Sequence, residues 1–544
     1  MMKGLNRLLL GITALLWIGC SDETTVFEAV QQDDPFLVES VASARGSVTY
    51  DFAGVLKFRE PLQAFGMEEA PAGDYPLTLV ASITPPTRQD GSLFTASHVD
   101  VRGGFAYVGY NTAGDVYEGA IDAVDISDPN NPVVTSRLIY RNADVNAVHY
   151  EGGFLFAAGS VDAEISDSAV SNSFVARIPA LGGTLETEGI LYGFQQGYTA
   201  TDVTVHNSRV LVSSGQAGSV VSYNSSDLSP GAEIFLFDAR SLAASGSRVV
   251  VLDAGSGVRV LGSDLNENLL IPIASDLGEG SKKTLDLWND WVIVSEGANG
   301  AGIYETSSGN PVAHLPIPLA PEGVDTEYLV TNAVSVNENA IFMANGGAGL
   351  SLAEREGSGA ATQGVIELEG SVNYVVSKDD FAFAASGSNG LHIIKLNRPA
   401  DSLETRYLDL PQYEGKSRMS VGKTESLAFR GQKRLQSLQV QGSLTLGGSW
   451  TVYEEVRISE GGALQLIGSM AVGRNDRRQD VVLEPGATLK VRGQMTLYGD
   501  LILGEGATLE FQGPNAVMDI FGQVRYLGDA TVRGLFRDVR GKFE

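Results

Sequence analysis

FAFAASGSNGLHIIKLN, residues 381–397, is the clearest copy of a unit that recurs along this 544-residue chain. Phenylalanines alternate with alanines from Phe381 to Ala385, and a second apolar run extends from Leu391 to Leu396. Between the two runs, Gly387-Ser388-Asn389-Gly390 supplies residues that reach positive φ at little cost. The alternation and the turn together predict a β-hairpin.

Seven copies of this block follow one another. They begin at Gly103 (GGFAYVGY), Gly152 (GGFLFAAG), Ser208 (SRVLVSSG), Ser247 (SRVVVLDAGSG), Asp290 (DWVIVSEGANG), Asn339 (NAIFMANGGAG) and Asp380 (DFAFAASGSNG). A short apolar strand precedes each copy and opens at or beside a polar residue. A period of about 40–45 residues that holds about four strands is typical of β-propellers. We therefore expect an all-β chain with a seven-bladed β-propeller.

The first repeat carries the motif that relates these copies to a known family. The chain resembles the LVIVD-repeat family over about residues 77–397, which implies the same propeller fold. In the second and third copies we interpret Ser160–Phe174 and Gln216–Pro230 as polar insertions in place of the family's tight turn. The residues that carry the resemblance best are Phe105-Ala106-Tyr107-Val108, Ala123-Val124-Asp125-Ile126 and Asp128-Pro129-Asn130-Asn131-Pro132.

The last repeat ends at Asn397 without a fourth strand, because Arg398-Pro399 begins a polar stretch. Leu77–Ile83 (LTLVASI) has the pattern of the missing strand. A propeller must close its ring, and a strand borrowed from the other terminus covers two sheet edges at once. We therefore expect residues 45–397 to form the propeller, with 77–83 as the closing strand.

The pattern changes after a predicted linker at 398–428. Leu464, Leu489 and Leu509 align in three short units of alternating residues with a Gly-containing turn, which predicts stacked solenoid rungs. Residues 429–544 resemble the right-handed parallel β-helix modules of surface proteins. A small antiparallel sandwich is the alternative.

The N-terminus predicts export and lipidation. Residues 1–20 have the charged and apolar regions of a signal peptide, and Trp17-Ile18-Gly19-Cys20 resembles the bacterial lipoprotein signal. The resemblance implies that Cys20, the only cysteine, is lipidated and anchors the chain in a membrane. Residues 21–44 are expected to be a flexible tether. Ser21-Asp22-Glu23 resembles a surface-export signal of Bacteroidetes lipoproteins, and an ordinary polar tether is the alternative.

Charge and motifs exclude several classes of partner. Residues 21–411 hold 19 Lys and Arg against 51 Asp and Glu, a formal charge of −32, which repels nucleic acid. Gly422-Lys423-Thr424 lacks the first glycine of a phosphate-binding loop, since Ser417 stands there, so we expect no nucleotide. The five histidines lack zinc-type spacing, and Asp264-Asn266-Asn268 is interpreted as an inter-strand turn rather than a calcium loop. We expect neither a metal nor a cofactor.

The candidate ligand-binding site is the set of polar residues that open the first strand of each blade, because these strands line a propeller's axis. Strand-start residues that merely satisfy backbone groups are the alternative interpretation. The candidates are His98, Asn146, Asp202, Ser241, Thr284, Asn332 and Asn373.

No catalytic motif is visible, so the sequence favours a binding, adhesion or scaffold protein on the cell outer membrane, with a glycan or protein as partner. An enzyme acting on polysaccharide is one rival hypothesis, on fold analogy alone. An envelope-assembly scaffold that faces the periplasm is another.

Overall fold

The computed structural model describes residues 38–42, 45–50, 53–59, 72–112, 114, 116–278, 282–317, 324–337, 340–356, 359–398 and 401–543. The signal peptide and Cys20 lie outside these residues. The hairpin predicted at 381–397 is present: Phe381–Ala385 pairs antiparallel with Leu391–Leu396, and Ala385 lies opposite Leu391.

The two glycines of this hairpin have separate tasks. Gly387, at φ 54°, accepts a hydrogen bond from the amide of Ala96 in the next blade at 3.0 Å. Gly390, at φ 78°, packs so tightly on the neighbouring strand that a Cβ there would lie 1.9 Å from the carbonyl oxygen of Ile83. The same turn recurs in two other blades, with glycine pairs Gly297/Gly300 and Gly346/Gly349.

In the described part of the chain, seven antiparallel sheets form the propeller, and we number its blades in chain order. Each is given from its innermost strand outward. Blade 1 contains Thr95–Arg102, Phe105–Asn111, Gly119–Asp125 and Val133–Tyr140; blade 2 contains Ala143–Glu151, Phe154–Val161, Ser173–Leu181 and Leu191–Gln195, with Thr184–Leu185 beside the third strand; blade 3 contains Asp202–His206, Arg209–Ser213, Ser219–Asn224 and Pro230–Phe235.

The remaining blades follow the same order. Blade 4 contains Asp238–Ser245, Arg248–Asp253, Gly257–Gly262 and Glu267–Ile271, with Gly215–Gln216 beside its first strand; blade 5 contains Leu285–Trp288, Trp291–Ser295, Ala301–Glu305 and Pro311–Leu315; blade 6 contains Leu329–Val336, Ala340–Gly346, Leu350–Glu356 and Gly359–Ile366; blade 7 contains Tyr374–Lys378, Phe381–Ala385, Leu391–Leu396 and Leu77–Ile83.

Blade 7 is therefore completed by an early strand of the chain. Leu77–Ile83 pairs antiparallel with Leu391–Leu396, and all seven of its residues are buried. The ring closes where the sequence analysis expected it to close. Apolar faces of successive blades supply the core: Tyr107 and Leu138 of blade 1, for example, pack with Leu155 and Phe174 of blade 2.

The described residues between 38 and 76, called here the N-terminal segment, add short strands to the outside of three blades. Val38–Ala42 pairs with Val133–Tyr140 as a fifth strand of blade 1. Val48–Thr49 and Gly54–Val55 pair with the closing strand of blade 7, and Phe58–Arg59 pairs with the fourth strand of blade 6. The predicted flexible tether at 21–44 is thus corrected at its end, because residues 38–42 form main-chain hydrogen bonds of a sheet.

The C-terminal domain is a parallel β-solenoid, which rules out the antiparallel sandwich. Two parallel sheets stack its rungs. The first contains Arg418–Val421, Ser437–Val440, Val456–Ile458, Val481–Leu483, Leu501–Leu503 and Val524–Tyr526; the second contains Ser426–Leu435, Ser443–Val452, Ala463–Val472, Thr488–Leu497, Thr508–Phe511 and Thr531–Arg533, with Ala516–Ile520 and Phe536–Asp538 beside them.

Stacked residues explain the solenoid's repeat. Leu464, Leu489 and Leu509 occupy one buried column, as the sequence alignment predicted. Gly448, Gly468 and Gly493 form a second column, with φ between 98° and 139°. A Cβ on Gly468 would lie 1.9 Å from the carbonyl oxygen of Gly448, so only glycine lets the rungs approach there.

The stretch 398–428 is not only a linker. It contains the first solenoid strand, Arg418–Val421, and the start of the second, Ser426–Leu435. Its polar composition did not indicate either strand. The short helix Asp401–Glu404 precedes them. Its Leu403 side chain packs over Gly493, since a Cβ on that glycine would lie 3.0 Å from it. The other helical turns described are the 3-10 elements Arg45–Ser47 and Thr326–Tyr328, and no helix among the described residues has the length and apolarity to span a membrane.

The N-terminal segment also joins the two domains. The amide of Val55 donates to the carbonyl of Gly473 at 2.9 Å, and the amide of Arg434 donates to the carbonyl of Gly73 at 2.8 Å. The Arg434 guanidinium lies 4.3 Å from the centre of the Phe58 ring. The solenoid therefore contacts the same segment that adds strands to blades 6 and 7.

Candidate functional site

The seven predicted site residues lie on one ring, and each forms a hydrogen bond with the main chain at the following blade. Asp202 opens its innermost strand, and Thr284 and Asn373 stand directly before theirs. The other four are each the fourth residue of the innermost strand: His98, Asn146, Ser241 and Asn332. His98 Nδ1, Asp202 Oδ2, Ser241 Oγ and Thr284 Oγ1 accept from the amides of Val148 (3.4 Å), Leu242 (3.0 Å), Leu285 (3.4 Å) and Val334 (3.0 Å); the Nδ2 groups of Asn146, Asn332 and Asn373 donate to the carbonyls of Ala200 (3.0 Å), Val372 (3.3 Å) and Ala96 (3.2 Å).

These contacts form a closed belt that connects every blade to the next. The polar character of the ring therefore has a structural cause: each side chain satisfies a main-chain group where two innermost strands meet. The alternative interpretation of the sequence analysis accounts for the positions of all seven residues.

The axis inside the ring is occupied by a side chain of the protein. Lys282, just before the first strand of blade 5, donates from Nζ to the carbonyls of Ser97 (2.8 Å) and Asn146 (2.7 Å), which belong to blades 1 and 2. Its Nζ also lies 5.0 Å from the centre of the Tyr374 ring. Burial lowers the pKa of Lys282 to about 8, although the Asp202 carboxylate opposes the shift.

His98 lies beside this lysine. Its ring stacks on Tyr374 with 3.9 Å between ring centres, and its Nε2 has no partner among the described residues. Burial lowers the pKa of His98 well below its usual value, and the positive charge of Lys282 adds to the effect. A neutral imidazole at this position accepts through Nδ1 and carries its proton on Nε2.

Two carboxylates that sequence reasoning missed extend the belt. Asp100 and Asp286 accept from the amides of Tyr150 (2.7 Å) and Val336 (2.9 Å), again across a blade junction. Burial raises the pKa of Asp286 to about 6 and also raises the pKa of Asp202. Both missed residues stand two positions after a ring residue, and this strand spacing was the available signal.

The described residues contain no group of three or more His, Cys, Asp or Glu side chains that could hold a metal ion. Asp264 lies in a turn between two strands of blade 4, as predicted, and accepts from the amide of Asn266 at 3.3 Å. The insertion predicted at Gln216–Pro230 is wrong, because the third strand of blade 3, Ser219–Asn224, lies within it. The sequence SVVSYN contains two serines and Asn224, and this polar composition led to the prediction of a loop.

A second candidate site lies beside the start of the innermost strands of blades 3 and 4. Tyr198, Phe235 and Phe237, called here the aromatic cluster, are 68%, 64% and 65% exposed. With Gln216, Ala217 and the buried Leu236 they line a shallow cavity of about 460 Å³. Large aromatic side chains exposed together are uncommon on a protein surface and indicate an interaction site.

Main-chain hydrogen bonds hold the cluster in place. The amide of Ala217 donates to the carbonyl of Phe237 at 2.9 Å, and the amide of Leu236 donates to the carbonyl of Gly218 at 3.1 Å. Gly255 lacks a side chain where the Phe237 ring passes, since a Cβ there would lie 2.5 Å from the ring. The rings are thus presented by ordered backbone and not by a long loop.

A larger cleft of about 910 Å³ lies between blades 6 and 7, the N-terminal segment and the solenoid. Three of its charged groups interact within the protein: Arg398 lies 3.2 Å from Asp380, and Glu354 interacts with the Tyr75 hydroxyl. Burial, together with that carboxylate, raises the pKa of Tyr75.

Comparison with known proteins gives the fold only. No protein-family model and no curated protein matches this sequence. Solved propellers are similar: the RRP9 WD40 repeats (12% identity, 62% of this chain and 100% of that chain, TM-score 0.44) and the WD40 β-propeller domain of Doa1 (11%, 58% and 96%, TM-score 0.43). U3-55K gives similar values (12%, 57% and 98%, TM-score 0.44). The chain is a seven-bladed β-propeller followed by a parallel β-solenoid.

Proposed function

We propose that this protein is a non-catalytic binding protein of the outer membrane, exposed at the cell surface and anchored by a lipid on Cys20. The observation that carries the proposal is the aromatic cluster, in which Tyr198, Phe235 and Phe237 are each about two-thirds exposed. Covering apolar surface with a partner lowers the free energy of the complex, and a rigid site loses little conformational entropy on binding.

The architecture supports a binding role in a second way. The inner polar residues hold the blades together, and the Lys282 side chain occupies the axis. The side chains that a ligand can reach therefore lie on the outer surface of the propeller. Loops held by a rigid scaffold are the usual place for binding residues.

The membrane anchor and the LVIVD-type repeat are parts of the same proposal. Trp17-Ile18-Gly19-Cys20 supports lipidation, and Ser21-Asp22-Glu23 supports export to the surface. The LVIVD-type repeat is supported by Phe105-Ala106-Tyr107-Val108, which lies in the second strand of blade 1, and by Ala123-Val124-Asp125, which lies in the third.

Capture from intact cells tests the binding role. Full-length protein is immobilised, and surface material is recovered with the wild type, with a Tyr198→Ala/Phe235→Ala/Phe237→Ala triple variant and with a Leu181→Ala/Leu191→Ala control. The control removes exposed apolar side chains from blade 2, outside the aromatic cluster. We expect the triple variant to lose the material that both other proteins recover. Equal recovery by all three would contradict the proposed site.

Fractionation tests the anchor separately. Cys20→Ser should release the protein from membranes and abolish lipid labelling, because the thiol that would carry the acyl chains is gone. A variant that still sediments with the outer membrane at high salt would contradict anchoring through Cys20. Protease treatment of intact cells then separates a surface location from a periplasmic one.

A further inference from the structure

We infer that the aromatic cluster binds a neutral oligosaccharide, whose sugar faces stack on Tyr198, Phe235 and Phe237. This inference rests on the proposed binding function and adds the chemical class of the ligand. Each aromatic face carries partial negative charge, and the axial C–H groups of a pyranose ring present partial positive charge to it.

The size of the cluster favours a small ligand over a protein. Three aromatic side chains of about 200 Å² each, two-thirds exposed, offer about 400 Å² of contact surface. A stable protein–protein interface needs about 800 Å² from each partner. The cavity of about 460 Å³ lies within the range of small-molecule sites.

The charge of the cluster excludes ionic ligands as its natural partners. None of the six residues that line this cavity is charged: Tyr198, Gln216, Ala217, Phe235, Leu236 and Phe237. The surrounding chain is strongly acidic, at −32 for residues 21–411. An anionic polysaccharide would be repelled, and a cationic peptide would find no carboxylate in the cavity to pair with. A neutral polymer is not repelled by the acidic surface and needs no carboxylate in the cavity.

The geometry fits a chain of sugar rings. Phe235 and Phe237 flank Leu236, which is only 7% exposed, so the two phenylalanine side chains both point outward. Tyr198, from the connection between blades 2 and 3, adds a third ring with a hydroxyl group. Gln216 supplies an amide at the edge of the cavity, a group that hydrogen-bonds sugar hydroxyls.

Titration of the full-length protein in a detergent without a sugar headgroup tests the inference. The probes are neutral cello-, laminari-, manno- and chito-oligosaccharides, with oligogalacturonate as the anionic comparison. We expect one or more neutral probes to bind and oligogalacturonate not to bind. The Tyr198→Ala/Phe235→Ala/Phe237→Ala variant should lose affinity about tenfold or more at an unchanged melting temperature.

A Phe235→Leu/Phe237→Leu variant separates stacking from general apolar contact. Leucine keeps much of the apolar surface and removes the π face, so oligosaccharide affinity should fall while docking of an apolar protein surface would survive. If a neutral probe binds the triple variant as tightly as the wild type, the inference is overturned. If no neutral probe binds while capture from cells still requires the cluster, the ligand class is wrong and the binding function stands. If no neutral probe binds and capture from cells does not require the cluster, the ligand class and the proposed binding site are both wrong.

Discussion

Thr284 shows what the ring residues do for the propeller. Its hydroxyl accepts the amide of Val334 across the junction of blades 5 and 6, and the residue is 3% exposed. Thr284→Val keeps the volume but leaves that buried amide without a partner, which should cost about 1–3 kcal/mol in the free energy of unfolding. Thr284→Ser keeps the hydroxyl and should cost clearly less. Chemical denaturation of both variants checks this, and equal losses would contradict the role of the hydrogen bond.

The sequence could predict the ring positions but not their task. The period of the repeats locates one polar residue in or directly before each innermost strand, but four of the seven lie three residues beyond the first residue of the strand: His98, Asn146, Ser241 and Asn332. Their partners are main-chain groups about 40–50 residues further along the chain, and at the closure Asn373 reaches back to Ala96. No local pattern records such pairs. Replacing His98, Asp202 or Asn373 with alanine would therefore remove a contact between neighbouring blades.

Lys282 gives a dependence of stability on pH. Burial lowers its pKa to about 8 from an ordinary value of 10.5, and the Asp202 carboxylate opposes part of the shift. Between these two values the unfolded chain holds a proton that the folded protein releases, so stability rises as pH increases through the window. In Lys282→Met this contribution is absent. We expect the melting temperature of the wild type, relative to the variant, to increase from about pH 7.5 to about pH 10. A constant difference would mean that Lys282 is not desolvated.

At the scale of the strand and turn, Gly390 is the sharpest test of closure. A Cβ there would collide with the carbonyl of Ile83 in the closing strand, whereas a Cβ on Gly104 would meet no atom within 4 Å. The two residues have similar φ, 78° and 84°, so each alanine substitution carries a similar backbone strain of about 1–2 kcal/mol. Gly390→Ala should therefore destabilise the protein much more than Gly104→Ala in thermal unfolding. Equal effects would mean that blade 7 tolerates separation of its two halves.

Elements with strong local patterns could be predicted from the sequence, and elements without them could not. The hairpin at 381–397, the closing strand and the leucine column have alternating residues and Gly-containing turns. Ser219–Asn224 is rich in polar residues, and Arg418–Val421 lies in a polar stretch. Val38–Ala42 was hidden for another reason: a short strand added to an outer edge needs only main-chain hydrogen bonds, so little in its side chains identifies it.

At the scale of the whole molecule, the two domains should remain together after the chain between them is cut. The sequence predicted a linker at 398–428 between two domains, but the N-terminal segment forms main-chain hydrogen bonds with blades 6 and 7 and with the solenoid. A protease site placed between Arg398 and Asp401 should give fragments that co-elute in gel filtration. Separate elution of the wild-type fragments would contradict this prediction.

A matched pair of arginine variants locates that association. Arg434 lies against Phe58 of the N-terminal segment and donates to its carbonyl at 3.0 Å, whereas Arg533 pairs with Glu510 within the solenoid. Arg434→Ala should weaken co-elution of the cut fragments, and Arg533→Ala should leave it unchanged. Equal behaviour of the two variants would place the joining contacts elsewhere.

The added strand Val38–Ala42 has a mechanical consequence. A pulling force applied from the N-terminal side of Val38 reaches the propeller first through its pairing with Val133–Tyr140, and it opens that pairing from one end, bond after bond. The short pairings at Val48–Thr49, Gly54–Val55 and Phe58–Arg59 stand next in line. The main-chain bond between Gly73 and Arg434 of the solenoid follows them, and the closing strand Leu77–Ile83 comes last in the chain. A series of short pairings thus precedes the closing strand in the chain, and their successive opening would lengthen the chain under tension while the seven blades stay intact.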